Sequence, residues 1–147
     1  MRPCTYSHVL ASPAAASAQP SPESGIYNGA LMTLLNIQTS PRRSKSISIA
    51  ATDAFVEAYR TAHPEVTIDN LNVWDEGLPE FDSEAIGAKY KGVAKEAMSD
   101  AESAIWRSIQ SLAARFQAAD LIVLGVPMWN FAYPDKLKQL IDLEPIS

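Results

Sequence analysis

Hydrophobic positions along the chain follow two different periods. Leu121-Ile122-Val123-Leu124-Gly125 is a short, wholly apolar run. That pattern predicts a strand buried on both faces, as in a parallel sheet. Leu34 to Ile37 reads as the end of a first strand. Val66, Ile68 and Leu71, after the His63-Pro64 breaker, read as a second. From Ser46 onward, Ile47, Ala50, Ala51, Ala54, Phe55, Ala58 and Tyr59 recur at helical spacing. Met98, Ala101, Ile105, Ile109, Leu112 and Phe116 alternate spacings of three and four, a second helical stripe. Trp106 neighbours that stripe and reads as packing. The segment Asn70 to Pro79 reads as a loop at the mouth of a pocket. Asp75, Glu76 and Glu80 read as a solvated face, not as a catalytic pair.

The N-terminal segment lacks both periods. Ala11 to Pro22 is low in complexity, and residues 1–31 are expected to be a disordered extension. Arg2 and the Ala16-Ser17-Ala18 triplet fit a signal peptide. The apolar core between them is broken by Ser, His and Pro, which argues against secretion. The fold is expected over residues 32–147.

Composition narrows the function classes. The chain has 147 residues, 47% hydrophobic and 20% charged, enough for one domain with a sizeable core. A net charge of −5 argues against nonspecific nucleic-acid binding, which needs clustered Lys and Arg. No apolar run approaches the roughly 20 residues of a membrane span. The lone Cys4 cannot form an internal disulfide, consistent with a cytoplasmic location. His63 reads as a surface loop residue and His8 lies in the extension. Neither has the neighbours of a metal site or a nucleophilic triad. The six glycines are scattered and form no phosphate-cradling motif.

Two loops carry the candidate chemistry. The first is Thr39-Ser40-Pro41-Arg42-Arg43-Ser44-Lys45-Ser46, between the first strand and the first helix. Its hydroxyls can donate hydrogen bonds and its cations supply positive charge. It opens onto a helix N-terminus, where free N–H groups and the macrodipole favour an anion such as a phosphate monoester. A solvated basic turn with a serine N-cap would carry the same residues. The second is Val126-Pro127-Met128-Trp129-Asn130-Phe131, beyond the third strand. Ligands of open α/β sheets bind at the carboxyl ends of strands. Met128, Trp129 and Phe131 offer apolar surface to a flat ring, and Asn130 offers a donor and acceptors. Ordinary core packing would use the same apolar side chains.

Together these loops resemble the FMN-dependent NADH-azoreductases, flavodoxin-like NAD(P)H:quinone and azo-compound oxidoreductases. The resemblance runs from about Met32 to Leu143 and includes the Lys136-Leu137-Lys138-Gln139-Leu140 helix after the aromatic loop. It implies a flavodoxin-like three-layer α/β/α fold with a parallel sheet ordered 2-1-3-4-5, of which this chain carries the first three strands. Strand 3 then sits at an edge. By resemblance, Ser40, Ser44, Lys45 and Ser46 surround the FMN phosphate. Pro127, Met128, Trp129, Asn130 and Phe131 contact the isoalloxazine, with a backbone N–H of Asn130 or Phe131 near its N5 edge. The implied activity is electron transfer from NADH to quinones or azo compounds by a ping-pong hydride mechanism, in a homodimer. Family members continue for roughly two more strands and helices after the segment ending at Leu143, including a second, Gly-rich flavin loop. The alternative is therefore an inactive fragment or a non-enzymatic partner of a longer paralogue.

Overall fold

The computed structural model describes residues 32–144. The extension at 1–31 lies outside the described residues. A three-stranded parallel sheet is ordered β2-β1-β3, from β1 (Thr33–Gln38), β2 (Thr67–Asn72) and β3 (Leu121–Gly125). Register is continuous: Leu35 pairs with Asp69 on one side and Ile122 on the other, and Ile37 with Leu71 and Leu124. Four α-helices cover it: α1 (Ile47–Ala62), α2 (Ser83–Ala94), α3 (Asp100–Ala118) and α4 (Asp135–Leu143).

Strand alternation assigns the layers. Leu35 and Ile37 share a core with Leu71, Val73, Ala85 of α2, Ile109 and Leu112 of α3, and Leu137, Leu140 and Leu143 of α4. Asn36 and Gln38 point the other way, where the Gln38 amide donates to Asp53 of α1 (2.9 Å). The order is thus α1, sheet, then α2, α3 and α4, the flavodoxin-like arrangement expected from the resemblance.

Local chemistry explains the helix boundaries. Asp82 caps α2, its Oδ1 accepting from the N–H groups of Glu84 and Ala85 at 3.0 and 2.9 Å. Ser99 and Glu102 form a reciprocal capping box on α3. The free oxygen of Glu102 takes the Lys91 ammonium at 2.6 Å, tying α3 to α2. Gly92 lets the two helices meet: a Cβ there would lie 2.3 Å from the Trp106 ring. Trp106 is packing, as its place beside the stripe implies. Met98 falls just before α3 rather than within it, and α2 itself carried no strong periodic signal.

The expectation that the 121–125 run is buried on both faces is corrected. β3 is an edge strand, and Ile122 and Leu124 are 39% and 47% exposed. A continuous apolar run reports what a strand can bury, not whether both neighbours are present. Its edge position does agree with the strand order.

Candidate functional site

Both loops emerge at the carboxyl edge of the sheet, and a buried threonine joins them. Thr39 follows β1 directly. Its N–H and its hydroxyl both donate to the carbonyl of Gly125, at 3.2 and 2.9 Å. Gly125 ends β3 and opens the aromatic loop. Its Cβ position lies 3.1 Å from Thr52 Oγ1 and 3.2 Å from the Ser48 carbonyl, so the strand end presses against the first turns of α1. β1, β3 and α1 therefore converge on one point.

The hydroxyl loop wraps around the start of α1. Ser40 is fully buried, its Oγ accepting from Arg42 N–H at 3.3 Å. Arg43 to Lys45 make a single 3-10 turn, entered through Arg43 at φ +51°. That left-handed backbone is unusual for a residue with a side chain. Ser46 occupies the N-cap position of α1 and is buried, yet its side chain makes no capping bond. Its Oγ instead lies 3.0 Å from Ser48 Oγ. The first intrahelical bond runs from Ala50 N–H to Ser46, so the N–H groups of Ile47, Ser48 and Ile49 make no hydrogen bond among the described residues. No acidic residue lies in this first turn, whereas the first turns of α2, α3 and α4 each carry at least one. Free donors, paired hydroxyls and an uncompensated helix dipole make a fitting receptor for a dianionic phosphate.

The aromatic loop is a tight hairpin. Trp129 and Ala132 bridge in antiparallel fashion, exchanging N–H···O bonds of 2.9 and 2.8 Å. The two residues between them, Asn130 and Phe131, have φ of +48° and +62°. Two consecutive positive φ values belong to a type I′ turn, a conformation that favours Asn at the first position and strains Phe at the second. The turn leaves the N–H groups of Asn130 and Phe131 without a partner among the described residues. It also carries Phe131 out to 98% exposure and leaves Met128 at 75%. Ordinary core packing does not account for these side chains. They form an open apolar shelf with free amide donors at its tip, which suits a flat heteroaromatic ring.

The expected site residues thus divide. Ser40 and Ser46 line the buried base of the hydroxyl loop, while Ser44 and Lys45 sit exposed on the 3-10 turn. Pro127 to Phe131 stand at the same sheet edge. Ser48 escaped the sequence reading, although its spacing of two from Ser46 places both at the helix start. Thr39 escaped it as well, because its role depends on a carbonyl 86 residues away. Asp75 and Glu76 are exposed, as a solvated face implies, and each also holds an ion pair there. Asp75 binds Arg43, and Glu76 accepts an ion pair from Arg115 of α3 at 2.9 Å. Arg115 also grips Asp69 of β2 through two bonds of 2.9 and 2.7 Å, which hold its guanidinium more firmly protonated than usual. A separate groove between Gly77–Pro79 and Ser108 and Ser111 of α3 has this occupied arginine on its wall. Among the described residues, no His, Cys, Asp and Glu cluster could hold a metal ion.

Residues 32–143 match the family model described as flavodoxin-like fold. The chain belongs to that family. Among its relatives, FMN-dependent NADH:quinone oxidoreductase 2 of Burkholderia lata is 65% identical over 112 residues, covering 76% of this chain and 54% of the relative. FMN-dependent NADH:quinone oxidoreductase 9 of the same organism is 44% identical over 109 residues, covering 74% of this chain and 52% of the relative. The crystal structure of an azoreductase from Bacillus anthracis superposes with a TM-score of 0.71 at 26% identity, over 76% of this chain and 54% of that one. An FMN-dependent NADH-azoreductase of Bacillus anthracis, solved in complex with FMN, gives 0.70 at 25% identity over 78% and 56%. The chain spans about half the length of the curated relatives it matches. Among the described residues, no helix of this flavodoxin-like chain is long and apolar enough to cross a membrane.

Proposed function

We propose that this flavodoxin-like chain provides the phosphate and ring-edge loops of an FMN-dependent oxidoreductase that moves electrons from NADH to quinones or azo compounds. The observation that supports this reading is the Thr39–Gly125 junction, which joins the hydroxyl loop at the start of α1 to the strand end that opens the apolar hairpin. When bound, FMN would supply the reversible hydride chemistry of a ping-pong reaction between NADH and a quinone or azo acceptor.

The chain's own residues bind and orient. Ser40, Ser46, Ser48 and the first N–H groups of α1 would hold the phosphate, with Ser44 and Lys45 at its solvent side. Met128, Trp129 and Phe131 would cover the ring and exclude water from one face, and Pro127 would stiffen the entry to the hairpin. The Asn130 and Phe131 N–H groups would hydrogen-bond the ring edge. No side chain here is needed as a general acid, since protons can come from solvent or substrate. The relatives' names support FMN and NADH as cofactor and donor. We further propose a homodimer, supported by the exposed apolar side chains around the hairpin, and a cytoplasmic location, supported by the single cysteine.

Because the matched segment covers only 54% of the relative, the test uses both the 147-residue chain and a chimera carrying the remaining sequence of the Burkholderia lata relative after residue 143. The chimera is expected to bind FMN, turn yellow, and oxidise NADH with a quinone, giving parallel lines in double-reciprocal plots. No flavin binding by the chimera at high added FMN would refute the reading.

A further inference from the structure

We propose that Asp75 is a positioning residue for the hydroxyl loop, acting through Arg43; this rests on reading that loop as the FMN phosphate receptor. The turn after β2 grips the loop after β1 at three successive residues. Val73 N–H donates to the Gln38 carbonyl at 3.1 Å. The Trp74 indole N–H donates to the Thr39 carbonyl at 3.0 Å. The Asp75 carboxylate takes both terminal nitrogens of Arg43, at 2.6 and 2.7 Å.

The turn that does the gripping is itself anchored. Asn72 Oδ1 accepts from Trp74 N–H at 3.0 Å, and the Asp75 and Glu76 N–H groups close back onto the Asn72 carbonyl at 3.0 and 3.2 Å. One residue on, Glu76 is held by Arg115 of α3. Asp75 thus projects from a rigid support, while Arg43 stands on an exposed loop in a left-handed backbone that its side chain disfavours. A two-pronged carboxylate–guanidinium pair fixes direction as well as distance. It draws the Asp75 carboxyl below, and the Arg43 guanidinium above, their ordinary ranges.

The geometry implies a division of labour. Arg43 acts as a strut because the two-pronged pair turns its terminal edge toward Asp75. Holding Arg43 holds the 3-10 turn that delivers Ser46 and the open N–H groups of α1. Asp75 therefore preorganises the receptor without touching the anion. The contact is solvent-exposed, so the expected effect is modest.

The test compares the full chain with D75N and D75E. Affinities for FMN and riboflavin are measured by equilibrium dialysis, and cleavage of the flavin-free chain by trypsin after Arg42, Arg43 and Lys45 is timed by mass spectrometry. D75N is expected to weaken FMN about threefold, to leave riboflavin unchanged, and to speed cleavage at the loop. D75E, which keeps the carboxylate, is expected to recover part of both. Tighter FMN binding in D75N would overturn the proposal, since Asp75 would then compete with the phosphate for Arg43. Equal weakening of FMN and riboflavin, or unchanged cleavage, would overturn it too. If the wild-type chain and the chimera both ignore FMN, the cofactor reading fails. The cleavage rates then still decide whether Asp75 orders the loop.

Discussion

Replacing Thr39 by valine tests the joint between the two loops. Valine preserves the volume and branching of threonine and removes only the hydroxyl. In the native structure that hydroxyl is completely buried and donates to the Gly125 carbonyl at 2.9 Å. The same carbonyl keeps its second bond, from Thr39 N–H at 3.2 Å, so the substitution leaves no orphaned acceptor. The cost is therefore the net value of one buried hydrogen bond, about 0.5–1.5 kcal/mol, without the larger penalty of an unsatisfied group. For a domain of this size it lowers Tm by roughly 2–9 °C. Urea denaturation followed by circular dichroism should show a lower midpoint with an unchanged slope. T39S, which restores the donor but deletes the methyl, separates hydrogen bonding from packing. If T39V is as stable as the wild type, or if T39S is much the worse of the two, the joint is held by packing and the reasoning fails.

Other outcomes follow from single contacts. Ser46→Ala should weaken FMN more than riboflavin in a flavin-binding titration, because only FMN carries the phosphate that the proposed site assigns to Ser46; equal losses would remove Ser46 from the anion site. Leu124→Lys places a charge on the exposed edge strand, where unpaired backbone groups invite association. Light scattering across a concentration series should show wild-type self-association and less of it in the variant, and a wild-type monomer at every concentration would contradict this. Glu102 supports stability with an acid-side dependence: the Lys91 ammonium, then the Ser99 N–H, hold its carboxyl below its ordinary range. That contribution is complete above the unfolded value of about 4.3 and disappears as pH falls through the lower folded value. The stability gap between wild type and E102Q should therefore narrow in acid and stay constant from pH 6 to 8; a gap independent of pH would refute the assignment.

Much of the scaffold was legible because it rests on period. The stripe of Ile105, Ile109 and Leu112 and the run at 121–125 became α3 and β3 where spacing placed them. α2 was missed for a physical reason. Its buried positions are Ala85 and Ala88, too small to mark a face by hydrophobicity, and Gly92 is there to admit Trp106. Its one clear sequence mark was the capping Asp82, a residue equally at home in a turn. The exposure of Ile122 and Leu124 was legible only through strand order, because side-chain pattern carries no information about which neighbours a strand has.

The site divided along a similar line. Residues whose chemistry is intrinsic were readable: hydroxyls before a helix, and aromatics with an amide beyond a strand. Residues whose role is relational were not. Thr39 matters because Gly125 lies opposite it, and Asp75 because Arg43 does, contacts spanning 86 and 32 positions. An acidic residue in a polar loop is ordinarily a solvated charge, and only the fold reveals a cation held in a disfavoured backbone within its reach. The same reasoning explains Phe131. Its side chain suits either a bound ring or the core, and the positive φ shared with Asn130 accompanies nearly full exposure. A backbone strained to expose a phenyl ring is costly to fold and gains nothing from the core. Such an arrangement persists where a ring or a partner surface covers it. The hairpin strain and the open donors of α1 are the two features that the proposed FMN site would use on either side of the Thr39–Gly125 joint.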